Sequence, residues 1–500
     1  MKQSYRVNLT IIGGIILRKA KILITLGPAS REPAVIEQLL ASGANGVRIN
    51  MSHGTHEEKA ADIERARVAA SKAGRSLAVL VDLSGPKIRT GELKNDEPVI
   101  LQRGALFTIT TQTIEGDAQK VSTNYPDLPR VLHPGTRLLL DDGAIALVVE
   151  STTDTDVVCS VIDGGVLGER KGINLPGVAL PIDSLTQKDI VDLKWAVEQQ
   201  ADYIALSFVR RAADCERAKR LITEAGGRAP LIAKIEKAEA IDHLDEIIAA
   251  ADGIMVARGD LGVETSVELV PVYQKTIIEK SVAAGKMVIT ATQMLQSMVN
   301  NPRPTRAEAS DVANAVWDGT DCVMLSNETA TGAYPVAAVA TMSRIIESAE
   351  TGRQKLSDNA TKWAGKQSGR VSRALCEAAV FAAEEMGTTV TAVFTASGLM
   401  ARRLSALRPE QRIIALTNRP EVLGELSLIW GVEPLVVRKA YSTEEMLQAG
   451  EQTLLKAGIV TEGETIVVMA GRLSGLGLSS SVTVFTVAGD LGPHLSELPS

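Results

Sequence analysis

"ADGIMVARGDLGVE" occupies residues 251–264. From Gly253 to Ala257 every residue is apolar or small, without the alternation of a half-exposed strand. That is the pattern of a strand buried on both faces. Charge then arrives at once, as Arg258 and Asp260, with Gly259 and Gly262 around them. A buried strand that ends in charge needs a reason for charge at that end.

The pattern recurs along the chain. Short apolar runs lie at 22–26, 46–49 and 77–82, and after an interruption at 203–208, 231–235, 253–257, 287–290 and 322–325. Amphipathic stretches at 56–72, 186–199, 212–225, 239–250 and 267–284 separate them. Strand–helix alternation predicts a parallel sheet, and eight such units predict an α/β fold closed as a (β/α)8 barrel. The interruption, residues 85–182, is rich in Gly, Pro, Asp, Thr and Val. Its β-like runs at 98–101, 106–110, 137–140, 145–150 and 157–162 predict a small β-barrel domain inserted after the third strand. A strand-to-helix loop of a barrel opens on its catalytic face, so an insert there acts as a lid.

The expected division is an N-terminal extension over 1–18, a barrel over 19–84 and 183–350, the insert, a polar linker over 351–370, and an open α/β domain over 371–500. The apolar run 7–17 is too short to span a bilayer. Net charge is −7 over 500 residues, which argues against a nucleic-acid partner. The four cysteines, at 159, 215, 322 and 376, form no Cys-x-x-Cys pair. They read as buried reduced thiols of a cytoplasmic protein.

Polar residues collect at the end of each apolar run: Arg48, Asn50, Ser52 and His53; Asp82, Lys87 and Arg89; Ser207; Lys234 and Glu236; Arg258 and Asp260; Thr290 and Thr292; Asn327 and Glu328. A lysine inside "LIAKIE" is the hardest to explain as a loop charge, because an unpaired buried ammonium is costly. Glu236 and Asp260 end adjacent strands, about 4.8 Å apart. Two carboxylates so placed call for a cation between them. Mg²⁺, with one or two carboxylates and phosphate oxygens, meets that need. Ion pairs Lys234–Glu236 and Arg258–Asp260 without a metal are the alternative. The surrounding arginines and lysines point to a small phosphorylated carboxylate as ligand, and no GxxxxGK[ST] loop is present.

An ordered series of stretches, "KILITLGPAS" (21–30), "GVRINMSHG" (46–54), "DLSGPKIRTG" (82–91), "LIAKIEKAEAI" (231–241), "ADGIMVARGDLG" (251–262), "ATQMLQSM" (291–298) and "NPRPTRAEASDVANAVWDGTDCVMLSNETATGAYP" (301–335), resembles pyruvate kinase. The resemblance runs over about residues 20–490. It implies phosphoryl transfer from phosphoenolpyruvate to ADP, yielding pyruvate and ATP, in a homotetramer controlled by an allosteric effector that the sequence does not identify. Lys234, Arg48 and Thr292 would be catalytic. Ala257, Arg258, Gly259 and Asp260 would complete the substrate site, and Asn50, His53 and Arg89 would face the nucleotide. Glu236 and Asp260 would hold Mg²⁺ or Mn²⁺.

Members that use K⁺ would bind it with Asn50, Ser52, Asp82 and the Leu83 carbonyl. The chain departs from them at Lys87, where many carry Glu, so the resemblance implies activity without K⁺. In the C-terminal domain Thr395, Ser397 and Gly398 match the phosphate loop of sugar-phosphate-activated members. The charged positions of that loop are Ala396 and Leu399 here. Two other readings compete: a Mg²⁺-dependent carbon–carbon lyase, and adhesion through Arg258-Gly259-Asp260.

Overall fold

The computed structural model describes residues 11–12, 15–16, 18–178, 180–352, 370–471 and 479–488. Eight parallel strands close a barrel: β1 Lys21–Thr25, β2 Gly46–Asn50, β3 Ala78–Asp82, β4 Tyr203–Leu206, β5 Leu231–Ile235, β6 Gly253–Ala257, β7 Met287–Ala291 and β8 Cys322–Leu325. All are buried along their whole length except β2, where Arg48 and Asn50 are half-buried. β3 pairs with β4 across the 120 intervening residues, Tyr203 opposite Leu80, and β8 closes on β1, Cys322 opposite Lys21.

Successive side chains of a strand face opposite ways, and the two apolar clusters follow that rule. Leu231, Ala233 and Ile235 pack outward against the helices, while Ile232 faces into the barrel. Lys234 and Glu236 therefore share the inward face with Ile232. On β3 the same rule sends Val79 and Val81 outward and Ala78, Leu80 and Asp82 inward. The lysine in the apolar run is thus an interior residue of the barrel's upper layer.

The lower end of the barrel is shut. The interior cluster of Leu23, Leu80, Tyr203 and Met255 continues without a break into Leu404, Leu426 and Leu428 of the C-terminal domain. A Cβ at Gly46 would lie 2.9 Å from the Leu428 side chain. The Tyr203 hydroxyl donates to the Glu425 carbonyl at 2.5 Å, and the Lys21 ammonium to the Val432 carbonyl at 2.7 Å. That domain is an open sheet of β9 Val390–Phe394, β10 Arg412–Thr417, β11 Val432–Val436, β12 Thr465–Gly471 and β13 Ser479–Thr486, in the order 11-10-9-12-13 with only β13 antiparallel.

Between β3 and β4 the chain builds a six-stranded sheet, in the order 173–174, 137–140, 145–152, 156–163, 106–110, 120–122, and a separate two-stranded ribbon of 99–101 with 165–167. It touches the upper end of the barrel, where Asn174 donates to Glu264 at 3.0 Å and Arg210 to the Leu180 carbonyl at 2.9 Å.

Several elements differ from expectation. The helix expected over 239–250 breaks at His243 into Ala238–Asp242 and Leu244–Ala250. That over 267–284 opens with a 3-10 turn before Val270–Ala283. Residues 258–264 form a helix, not a loop. Strand β11 escaped notice because Pro434 sits in it, an edge position where proline costs no ladder bond. Trp195 is buried and stacks on His56, whereas Trp317 is half-exposed and donates to the Ala349 carbonyl at 2.9 Å. The four cysteines are buried and unpaired with one another. Among the described residues no helix is long and apolar enough to cross a membrane. The 1–18 extension and the 351–370 linker lie almost wholly outside the described residues.

One half-buried acid outside the upper layer carries a pH signature. Asp202, just before β4, accepts from the Val79 amide at 2.7 Å and presses on Gly424 of the C-terminal domain. Burial pushes its carboxyl up to about 7, only partly offset by the Val79 hydrogen bond. An unfolded aspartate titrates near pH 4. Between these values the folded chain binds the extra proton, so stability falls as pH rises from about 4 to about 7 and is level above. Asp202→Asn should remove that component. Melting followed by circular dichroism from pH 5 to 8 should give a flatter profile for the variant, with its largest gain over the parent at pH 8.

Candidate active site

The upper layer holds four buried or nearly buried charges in contact. The Lys234 ammonium lies 2.8 Å from Glu236 Oε1 and 3.2 Å from Asp82 Oδ1, and donates to Ser207 Oγ at 2.7 Å. Arg48 Nε donates to Asp82 Oδ2 at 2.7 Å and its Nη1 to Thr25 Oγ1 at 3.2 Å. Asp82 and Glu236 are fully buried. The register dictates this meeting, since Asn50 stands opposite Asp82 on β2 and Ala205 opposite it on β4.

The charges sustain one another. Burial disfavours the Lys234 ammonium, yet Asp82 and Glu236 outweigh it and hold the group above the ordinary lysine range. Burial likewise opposes ionisation of Asp82, but Lys234 and Arg48 keep it below the ordinary carboxylate range. Glu236 goes the other way. Burial raises it, Lys234 offsets this in part, and Asp260 raises it again. Glu236 Oε2 accepts from the Phe208 amide at 2.8 Å, with Phe208 at φ +56°. Its Oε1, though beside Lys234, has no donor along a hydrogen-bonding direction, and neither does Asp82 Oδ1.

A buried carboxylate oxygen without a donor, close to a second carboxylate, suits a hard divalent cation. Glu236, whose ionisation Asp260 opposes, would form that pair with it. Among the described residues no group of three or more His, Cys, Asp or Glu is set to hold a metal. Asp260 Oδ1 lies 3.7 Å from the Lys87 ammonium.

The other predicted residues divide. His53 is exposed beside a ring of cations. Partial burial first, then Arg89, Lys59, Lys87 and Arg48, lowers it from the ordinary histidine value. Arg89 is half-buried at the root of the insert, donating to the Arg170 carbonyl at 3.1 Å. Asn50 Oδ1 accepts from the Ser52 amide at 3.1 Å, and the Leu83 carbonyl from Ser207 Oγ at 2.7 Å. Thus Asn50, Asp82 and the Leu83 carbonyl, of the expected K⁺ set, already face an internal donor or ammonium.

The Arg258 side chain is engaged with partners inside the chain. Its guanidinium turns sideways to β7, donating to the Ala291 carbonyl at 3.3 Å, the Thr292 carbonyl at 2.8 Å and Asp311 at 2.7 Å. Ala257 caps the short helix Arg258–Glu264. The Gly259 amide, in its first turn, donates to Thr292 Oγ1 at 2.8 Å. Thr292 sits at φ +70° and Gln293 at φ +53°, a strained conformation for a β-branched residue that must be held by its surroundings. Arg258 and the Gly259 amide do the holding.

Sequence reasoning missed Thr25 and Lys237. Thr25 supports Arg48. Lys237 is ion-paired with Glu264 at 2.7 Å. Glu328, named at the end of β8, is fully buried and accepts from the Leu295 and Ser326 amides at 3.1 and 2.7 Å, so it shapes the loop after β7. Far from this layer, Thr395 Oγ1 accepts from the Gly398 amide at 2.9 Å, Gly398 lies at φ +75°, and Ala396 and Ser397 are exposed. Arg402 is ion-paired with Glu425. Residues 472–478 lie outside the described residues.

Comparison with known proteins decides between the readings of this layer. The profile described as "Pyruvate kinase, barrel domain" matches residues 17–339, and "Pyruvate kinase, alpha/beta domain" matches 373–485. The chain belongs to the pyruvate kinase family. It is 42% identical to a pyruvate kinase of Mycobacterium tuberculosis strain H37Rv, over 95% of this chain and 99% of that protein. It is 40% identical to that of Clostridium acetobutylicum, over 91% of this chain and 96% of that protein. A crystal structure of a pyruvate kinase from Cryptosporidium parvum superposes with a TM-score of 0.85 at 35% identity, covering 94% of this chain and 96% of that one.

Lysine cannot reproduce the planar fork of Arg258. Arg258→Lys should speed hydrogen exchange of the amides at 291–296 and lower turnover by about tenfold or more, since small misplacements at such sites are amplified. Exchange mapped by mass spectrometry, beside steady-state kinetics, checks both.

Proposed function

We propose that this chain catalyses phosphoryl transfer from phosphoenolpyruvate to ADP, giving pyruvate and ATP. The observation that carries the proposal is the Lys234 ammonium, fixed between Asp82 and Glu236 on the inner face of a pyruvate kinase barrel. The competing carbon–carbon lyase is not favoured, since the matches cover both the barrel and the C-terminal domain. The adhesion reading fails on Arg258, whose side chain is only 10% exposed and engaged with Asp311.

Phosphoryl transfer asks a protein chiefly for position and positive charge. Lys234 and Arg48 supply that charge to the transferring phosphoryl group, and their carboxylate partners hold them where it develops. Glu236 and Asp260 would hold a Mg²⁺ or Mn²⁺ ion, which would supply Lewis acidity to the transfer. Arg48, Lys234, Asp82 and Glu236 sum to zero charge, so the ion leaves the site positive and suited to a phosphorylated carboxylate. The backbone at Ala257 to Asp260, with Thr292, receives the substrate carboxylate. Thr292 is also near the carbon that gains a proton. Asn50, His53 and Arg89 face the nucleotide, in line with the cations around the His53 ring.

The division into a barrel (19–84 and 183–350), a lid (85–182) and an α/β domain (371–500) follows from the same reading. The lid closes the upper end, the only end that the C-terminal domain leaves open. Thr395, Ser397 and Gly398, at the carboxyl end of the central strand β9, form a loop for an effector other than a sugar bisphosphate, given Ala396 and Leu399 beside them. The working protein is a cytoplasmic homotetramer.

Lys87 supplies in fixed form the charge that K⁺ gives other members, and its ammonium already faces Asp260. Phosphoenolpyruvate and ADP, with Mg²⁺, should therefore yield equal amounts of pyruvate and ATP and no aldehyde. The rate should change less than about twofold when Na⁺ or tetramethylammonium replaces K⁺, and Lys87→Glu should create a K⁺ requirement. An absolute need for K⁺ in the parent chain would overturn the assignment of Lys87.

A further inference from the structure

We propose that Asp189 is a positioning residue that pins both chain crossings between the barrel and the insert, and so fixes the pivot of the lid. The inference rests on the reading of the insert as a lid and adds to it the residue about which the lid turns. The outgoing crossing follows β3 through Leu83, Ser84 and Gly85. The returning one ends at Thr186, the cap of helix Gln187–Glu198. Asp189, in the first turn of that helix, is fully buried. Its Oδ2 accepts from the Thr186 amide at 2.9 Å and the Thr186 hydroxyl at 2.5 Å, while its Oδ1 accepts from the Gly85 amide at 3.0 Å.

A capping box accounts for Oδ2 alone. The bond from Oδ1 reaches 104 residues back along the chain and has no part in capping. Gly85 is pressed from the other side too. It lies at φ +67°, where a Cβ would fall 2.5 Å from the Phe208 ring, and the amide of Phe208 is the one that holds Glu236. Two residues beyond Gly85, Lys87 reaches Asp260. The height of Gly85 therefore sets where Lys87 enters the site. The neighbouring Lys188 anchors a second site loop from the same turn. Its ammonium donates to the Met51 carbonyl at 2.7 Å and pairs with buried Asp192, which also contacts His56 Nε2 at 2.8 Å. With both crossings tied to one carboxylate, the insert can swing as a unit while its root stays in register with the barrel.

Asp189→Asn tests this, because an amide offers one acceptor where the structure uses two. Thr186→Val is the control that damages the cap and spares the Gly85 bond. Both should lose a similar, small amount of thermal stability, as expected for an N-cap. Only Asp189→Asn should speed amide exchange across 85–89 and lower kcat by about tenfold or more, while Thr186→Val stays within about twofold. Equal kcat and equal exchange in the two variants would reduce Asp189 to a helix cap and overturn the proposal. If Asp189→Asn does not fold, exchange of the parent chain decides: the Gly85 amide should be protected together with that of Thr186, and fast exchange at Gly85 in the folded protein would overturn the proposal. A parent chain inactive on phosphoenolpyruvate and ADP would defeat the functional reading instead, and the exchange measurement would still judge the anchor.

Discussion

An ammonium inside a barrel has to be paired, and the pairing of Lys234 organises the rest of the upper layer. Leaving it alone among Ile232, Leu80 and Met255 would be prohibitive, as would leaving Asp82 or Glu236 without a cation. Each of the three makes the others tolerable. Lys234 stays charged because two carboxylates adjoin it, and Asp82 stays charged because Lys234 and Arg48 adjoin it. Such a cluster is a poor source of stability compared with apolar packing. Its value is that fixed charges stand ready for a charged substrate, with no reorganisation needed when the substrate arrives.

That arrangement depends on features some distance away. The C-terminal domain plugs the lower end of the barrel with Leu428 and continues its core, so chemistry is confined to the other end. Arg258, Gly259 and Glu328 hold the loop after β7 in its strained form. The Phe208 amide fixes one oxygen of Glu236 and leaves the other beside Lys234. At the root of the insert, the first turn of helix Gln187–Glu198 links the loops after β2 and β3. Positioning is thus distributed over backbone groups that carry no chemistry of their own.

Much of the barrel could be read from the residues. Strands of a parallel barrel are apolar on both faces, so they stand out as short unbroken runs, and Lys234 stood out because it broke one. The ends of those runs then pointed to Glu236, Asp260, Arg48 and Asp82. What could not be read depends on contacts remote in sequence or on weak local signals. The helix Arg258–Glu264 is seven residues long and contains two glycines, so no periodicity announces it. The sideways turn of Arg258 depends on Asp311, 53 residues later. The second bond of Asp189 is equally invisible, because Thr186-x-x-Asp189 already explains itself as a helix cap.

The charge of Lys234 is the feature on which phosphoryl transfer at this site depends most directly. Lys234→Met keeps the length of the side chain and removes the ammonium. Turnover of phosphoenolpyruvate and ADP should be compared between this variant and the parent chain, with circular dichroism showing that the barrel still folds. A loss of about 10²–10³-fold or more is expected for removal of such a group. Near-normal turnover in a folded variant would contradict the assignment of Lys234 to phosphoryl transfer.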